Sequence, residues 1–371
     1  MLRILHILST PRAEGTPNLV LDWLATEKHE QEVFVLNSTP ADLAARLRSG
    51  SRWYAEADLF QGRGPRKFLR IVQAVHRVCA ERRPDLIVCW PTGFANWVTI
   101  GARLALGTKA ELLVHCGNPP NRGAKADWLT RFVLLPVWLG RVRCVCCSDY
   151  VRNAFRAVPG IPGALFTTVH NCARVEEVRQ RAKCARAARI KSDSEFAALM
   201  VATLERHKDH ATLLRAMPTV LESFPAFRLR LAGDGSLRGE LQQLAHNLGI
   251  ASAVEFLGTR RDVPELLGQS DLFILSTTSQ EGLGTVLIEA LAANLKIVAS
   301  DVPACREVLA GGRYGVLVPT GQPQALAAAI TGAIAIGCES SESVHSDYLQ
   351  GFTPAKMLEQ YLALAGERCM R

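Results

Sequence analysis

Two glutamates eight residues apart, Glu281 and Glu289, bracket a turn, Gly282-Leu-Gly284, from which a helical pattern starts at Thr285. A helix N-terminus offers unpaired backbone N–H groups and the positive end of its dipole, and glycine lets a ligand come close. The turn is therefore a cradle for phosphate oxygens. Glu281 lies in the loop, and Glu289 about one turn inside the helix on a face able to line the same crevice. Carboxylates accept hydrogen bonds from vicinal hydroxyls, so two of them beside a phosphate cradle imply a sugar nucleotide. Glutamate pairs also occur on solvated helix faces, and that alternative assigns them no chemistry.

The flanking elements are short. Asp271-Leu-Phe-Ile-Leu-Ser276 reads as a buried strand, residues 277–280 as a polar loop, and Lys296-Ile-Val-Ala-Ser300 as the next strand. The E-G-L-G-T-V-L-I-E run from Glu281 to Glu289, after the D-L-F-I-L-S strand, resembles the signature of family 4 of the retaining glycosyltransferases. That family has the GT-B fold: two α/β, Rossmann-like domains facing each other across a cleft, with a C-terminal helix crossing back to the first domain. The resemblance covers nearly the whole chain and is closest after Ala197. It implies Glu289 on the ribose hydroxyls and Glu281 on hydroxyls of the donor sugar. The amides of Gly282, Leu283 and Gly284, with Thr285 at the helix start, would hold the diphosphate, with Lys208 as countercharge.

Ala197-Ala-Leu-Met-Val-Ala202 reads as a strand, and Thr203-Leu-Glu-Arg206-His-Lys208-Asp209 as the loop after it. The loop is similar to the family's G-R-L-x-x-x-K segment, whose arginine and lysine grip the diphosphate. Lys208 matches; Ala202 and Thr203 stand where the glycine and arginine would be. Loss of a permanent cation matters there. Either Arg206 supplies the charge from the same loop, or the chain has lost activity. Gly258-Thr259-Arg260 ends a further strand, at the position where the family holds the nucleotide base, largely through backbone groups. Asp209 is the expected N-cap of the helix from Ala211, and Asn294 fits a left-handed C-cap.

The first half alternates strands and helices, which predicts a parallel sheet wound on both faces. Ligands of such sheets bind outside the carboxyl ends of the strands, which points to residues 9–17, 115–121 and 148–149. In the first of these only Gly15 matches the family's double glycine near the acceptor; Gly15, Thr16 and Asn118 are the expected acceptor-side residues. His115, at a strand end before Gly117, resembles the family's histidine near the donor sugar. A buried histidine bonded to backbone is the alternative. Residues 128–143 place Trp128, Phe132, Leu134, Leu135, Trp138 and Leu139 beside Arg131, Arg141 and Arg143. Such a stripe suits either an interfacial helix or one packed on the sheet, and Pro136 should kink or break it. The expected domains are 1–175 with the crossing helix 353–371, and 190–350, joined by residues 175–191.

The totals narrow the class. The 371 residues are 48% hydrophobic and 21% charged, as in globular proteins. Eleven cysteines, scattered and odd in number, fit buried thiols in a reducing compartment better than disulfides or zinc sites. Neither a signal peptide nor a membrane span is apparent, so the expected location is the cytoplasm, peripheral to the inner face of the cytoplasmic membrane. Residues 1–174 carry a net +10 and the remainder −2. An anionic membrane surface or phosphate-linked acceptor fits the basic half; no nucleic-acid motif accompanies it. The expected chemistry is metal-independent, retaining transfer from a nucleotide-diphosphate sugar, UDP slightly favoured over GDP, to a glycan or lipid-linked saccharide in polysaccharide or lipopolysaccharide assembly, with no cofactor. The rivals are a non-catalytic subunit or sensor, and a GT-B epimerase or phosphorylase.

Overall fold

Thirteen strands form two separate parallel sheets in a computed structural model that describes residues 1–12, 15–26, 28–61, 66–189, 196–335 and 342–369. Residues 13–14 of the first loop, 190–191 of the expected connection and 370–371 of the crossing helix lie outside the described residues. The chain divides into one unit of residues 1–172 with 354–371 and a second of residues 173–353.

The first unit holds β1 (Arg3–Leu8), β2 (Glu30–Val35), β3 (Trp53–Glu56), β4 (Leu86–Cys89), β5 (Glu111–Cys116), β6 (Arg143–Cys146) and β7 (Phe166–Thr168), in the order 3-2-1-4-5-6-7. The apolar run Ile4-Leu5-His6-Ile7-Leu8 is buried on both faces, as a central parallel strand must be. The edge strand β3, Trp-Tyr-Ala-Glu, is half exposed and carries no apolar run, which is why the sequence did not announce it. The helix Pro354–Cys369 returns to this unit from the end of the chain. Its Met357, Leu358, Tyr361 and Ala365 recur at helical spacing and are all buried in the core against Trp23, Trp90 and Val145.

The second unit holds β8 (Phe196–Val201), β9 (Phe227–Ala232), β10 (Val254–Gly258), β11 (Leu272–Leu275), β12 (Lys296–Ser300) and β13 (Val316–Val318), in the order 10-9-8-11-12-13. Both sheets are doubly wound, and each reverses its strand order once, between β1 and β4 and between β8 and β11. The stretch 175–191 is not an open connection: Val175–Ala188 is a helix of the second unit, and Arg181 holds Glu265 through two bonds of 2.8 Å. The helix Ala124–Leu139 does not break at Pro136, which sits in its last turn, and the Pro136 carbonyl accepts from Gly140 N–H. Asp209 caps its helix through Thr212, and Asn294 adopts φ 57°, both as expected.

Candidate active site

The loop after β8 meets the loop after β11 where the strand order reverses, the place where open α/β sheets bind ligands. Hydrogen bonds join the loops. Ser276 Oγ donates to the Asp209 carbonyl (3.0 Å), and Thr277 Oγ1 and Thr278 N–H both donate to the His207 carbonyl (2.9 and 3.0 Å). Across this junction Lys208 Nζ reaches Glu281 Oε2 at 2.5 Å. Their side chains are only 18% and 9% exposed, so the pair is poorly screened.

Gly284 caps the helix Thr285–Ala292 at φ 76° and ψ 54°, a left-handed conformation that favours glycine. Leu287, Ile288, Ala290 and Leu291 bury one side of this helix, while Thr285 and Glu289, one turn apart, share the half-buried side. Gly282, Leu283 and Glu281 are buried. The expected donor-side residues of the turn, the helix start and Lys208 thus lie where the two loops meet.

The β8 loop is held by the turn after β9. A Cβ on Gly233 (φ 147°) would lie 2.0 Å from the Ala202 carbonyl oxygen, and one on Gly235 2.6 Å from that of Leu204. The two glycines let the turn press flat against residues 202–204. Leu204 N–H donates to the Asp234 carbonyl, and Ser236 binds Glu205 through its N–H (3.0 Å) and Oγ (2.8 Å). Thr203 is half buried beside this clamp; Arg206 is exposed and makes no ion pair among the described residues. Arg260 is different. Its guanidinium grips Asp262 through two bonds (2.8 and 2.5 Å), and at the same strand end the Gly258 carbonyl accepts from Gly233 N–H (2.8 Å). The sequence does not announce this clamp, because Glu205 and Ser236 carry no motif.

In the first unit His115 is fully buried. Its partner is not backbone: Nδ1 lies 2.9 Å from the hydroxyl of Tyr361, 246 residues away. Nδ1 is thus the engaged ring nitrogen, with donor and acceptor set by the imidazole tautomer. Nε2 has no partner among the described residues and faces Gly117, whose Cβ would stand 3.3 Å from it. Burial pushes the His115 pKa down to about 3, so the ring is neutral. His6 repeats the arrangement: Trp90 N–H donates to its Nδ1 (3.2 Å), Nε2 pairs with Gln31 Oε1 (3.1 Å), and burial lowers its pKa to about 4. Asn118 is exposed at the end of β5, while Gly15 (φ 51°) and Thr16 start a helix after β1; β4 separates the two ends.

The stripe on Ala124–Leu139 splits. Leu134 is buried, whereas Trp128, Phe132, Leu135, Trp138 and Leu139 are exposed, so packing within the unit accounts for only one side of the helix. Among the described residues no cluster of His, Cys, Asp and Glu is placed to hold a metal ion, and no helix is long and apolar enough to cross a membrane. Cys79, Cys89, Cys116, Cys144, Cys146, Cys147, Cys172 and Cys305 are buried free thiols, and Cys184 is an exposed one.

The family model described as glycosyl transferases group 1 matches residues 184–344. Over 322 residues the chain is 37% identical to the "Putative glycosyltransferase EpsF" of Bacillus subtilis, covering 81% of this chain and 79% of that protein. It is 38% identical over 136 residues to the phosphatidyl-myo-inositol mannosyltransferase of Mycobacterium tuberculosis, a match of only 36% of this chain and 35% of that protein. Among solved structures, Anabaena Alr3699/HepE in complex with UDP and glucose superposes with a TM-score of 0.82 at 19% identity, covering 99% of this chain and 100% of that one. The likeness shows the fold, GT-B with its two Rossmann-like units.

Proposed function

As the chain belongs to the family of group 1 glycosyl transferases, we propose that it moves a hexose from a nucleotide-diphosphate sugar to a saccharide or lipid-linked saccharide. UDP is the favoured nucleotide, since the HepE neighbour was solved with UDP. The observation that carries the reading is the Lys208–Glu281 pair at the mouth of the Gly284-capped helix. In this reading Glu289 takes the ribose hydroxyls and Glu281 the sugar hydroxyls. The amides of the Gly282–Gly284 turn and the helix dipole, with Lys208 and Arg206, stabilise the charge that grows on the leaving diphosphate.

The bond from the anomeric carbon to the phosphate oxygen breaks, and the acceptor oxygen bonds that carbon from the same face. Its proton passes to the departing diphosphate, so the configuration is retained without a protein base or metal. His115, neutral and joined to Tyr361, is the first-unit residue that the family resemblance assigns to the donor sugar. Gly15, Thr16 and Asn118 serve the acceptor. The product enters cell-surface polysaccharide or lipopolysaccharide assembly, made at the inner face of the cytoplasmic membrane.

Thermal unfolding with UDP, GDP and ADP, in wild type and Glu289→Ala, tests the site. A nucleotide at 100 times its dissociation constant adds about 2.7 kcal/mol. A UDP-dependent rise in Tm that the variant loses is the expected result; no rise with any nucleotide sinks the assignment. Thr203 in the place of the family's arginine favours one other reading, a subunit that binds nucleotide sugar without turnover. Binding of UDP-sugars with no release of UDP to any acceptor would select it.

A further inference from the structure

Trp128, Phe132, Leu135 and Leu139 follow one another at intervals of four, three and four residues, which places them on a single stripe of the helix Ala124–Leu139. They are 59%, 46%, 49% and 68% exposed, while Leu134 and Val137, on the opposite side, are 2% and 0% exposed. The helix is thus anchored by one face and bare on the other. The bare face continues sideways as an aromatic ridge: Phe132 meets Trp97 edge-on at 6.2 Å, and Trp97 stacks on Phe68 at 4.8 Å.

Cations flank the stripe. Lys125 and Arg131, both exposed, lie on its two sides, and the Lys67 ammonium stands over the Phe60 ring at 4.5 Å. The helix has one acid, Asp127, whose carboxylate lies 3.6 Å from the Arg122 guanidinium.

We propose that this face of the first unit docks on an anionic lipid bilayer, with the helix lying in the boundary between headgroups and acyl chains. Tryptophans prefer that depth, and flanking lysine and arginine pair with anionic headgroups. A second copy of the chain is a poorer occupant. In a two-fold interface the same patch meets itself, which would bring Lys125 and Arg131 against their own like charges. The inference deepens the lipid-linked acceptor reading, because it sets the acceptor-side unit at the surface where such acceptors lie.

Flotation of the full chain with phosphatidylcholine vesicles, with and without phosphatidylglycerol, tests it beside the Trp128→Ser/Phe132→Ser and Lys125→Gln/Arg131→Gln variants. The wild type is expected to float only with the anionic vesicles. The aromatic double variant should lower the partition coefficient by about tenfold or more, and each lost cation by about fivefold. Tm and the UDP-induced shift should not change in either variant, since all four side chains are on the surface. Failure of the wild type to float while UDP still raises Tm overturns the docking and leaves the transfer reading intact; flotation without any nucleotide response does the reverse. A concentration-dependent dimer that the Ser variants abolish would assign the face to a second copy and overturn the lipid proposal.

Discussion

Lys208 and Glu281, 73 residues apart in the chain, form a 2.5 Å ion pair across the strand-order reversal of the second sheet. Each is the other's countercharge, yet the proposed ligand needs both separately: the lysine for its phosphates and the glutamate for its hydroxyls. Under the proposed function, an incoming diphosphate would compete with Glu281 for the lysine and free the carboxylate.

That competition makes the two substitutions unequal. Glu281→Gln should leave the affinity for UDP unchanged or raise it while lowering kcat about 100-fold or more. Lys208→Met should weaken UDP about tenfold or more and also cost about 3 kcal/mol of stability, because it strands a carboxylate in a nearly closed site. Calorimetric titration with UDP and a UDP-release assay separate the two effects. Equal loss of affinity in both variants would contradict the exchange.

The exposed Arg206 and the half-buried Thr203 share one loop, and only the arginine carries charge. Arg206→Ala should weaken UDP about tenfold, and less so at high salt, where screening already removes part of the attraction. Thr203→Arg should tighten UDP by a similar factor. A Thr203→Arg variant without tighter binding would show that the loop does not face the diphosphate.

Gly233→Ala forces a Cβ against the Ala202 carbonyl at a backbone angle that side chains rarely adopt. It should destabilise the second unit by about 3 kcal/mol or more and displace the Thr203 loop, lowering UDP affinity too. Gly239→Ala is the control: nothing lies within 4 Å of its Cβ and it sits in a helix, so it should add about 0.5–1 kcal/mol. Urea denaturation of both variants measures the contrast.

Three buried histidines fix an acid limit. Burial lowers the pKa of His115 to about 3 and of His6 and His210 to about 4, from the ordinary 6.5. The folded chain therefore binds fewer protons than the unfolded chain between those values and 6.5. Their contribution to stability is complete above pH 6.5 and is lost as the pH falls toward 4, by about 1.4 kcal/mol per pH unit for each histidine. Melting curves from pH 8 to pH 4 should fall along that slope, and His115→Phe should flatten it by one histidine's share.

What the sequence disclosed follows from how local each signal is. Asp209 and Asn294 act on their own backbone, so their caps were readable one residue at a time. The Glu281 turn and Lys208 were legible as motifs, and the chain folds them together. Tyr361 on His115, Ser236 on Glu205 and Asp262 on Arg260 carry no motif; the first two depend on sheet order and helix docking over 246 and 31 residues. The Val175–Ala188 helix misled because its charged, alanine-rich face hides Val175, Val178 and Ala182, the few residues it buries.

The helix Pro354–Cys369 also dictates an order of events. The core of the first unit includes Tyr361 and Met357, which leave the ribosome only after the whole second unit has been made. Domains ordinarily fold as they emerge, the N-terminal one first. Here residues 173–353 form an uninterrupted unit that can close during synthesis. The seven-stranded sheet, though translated earlier, waits with Trp23, Trp90 and His115 uncovered until the last helix arrives. The emergence of Pro354–Cys369, rather than the appearance of β7, is the moment at which the first unit is complete.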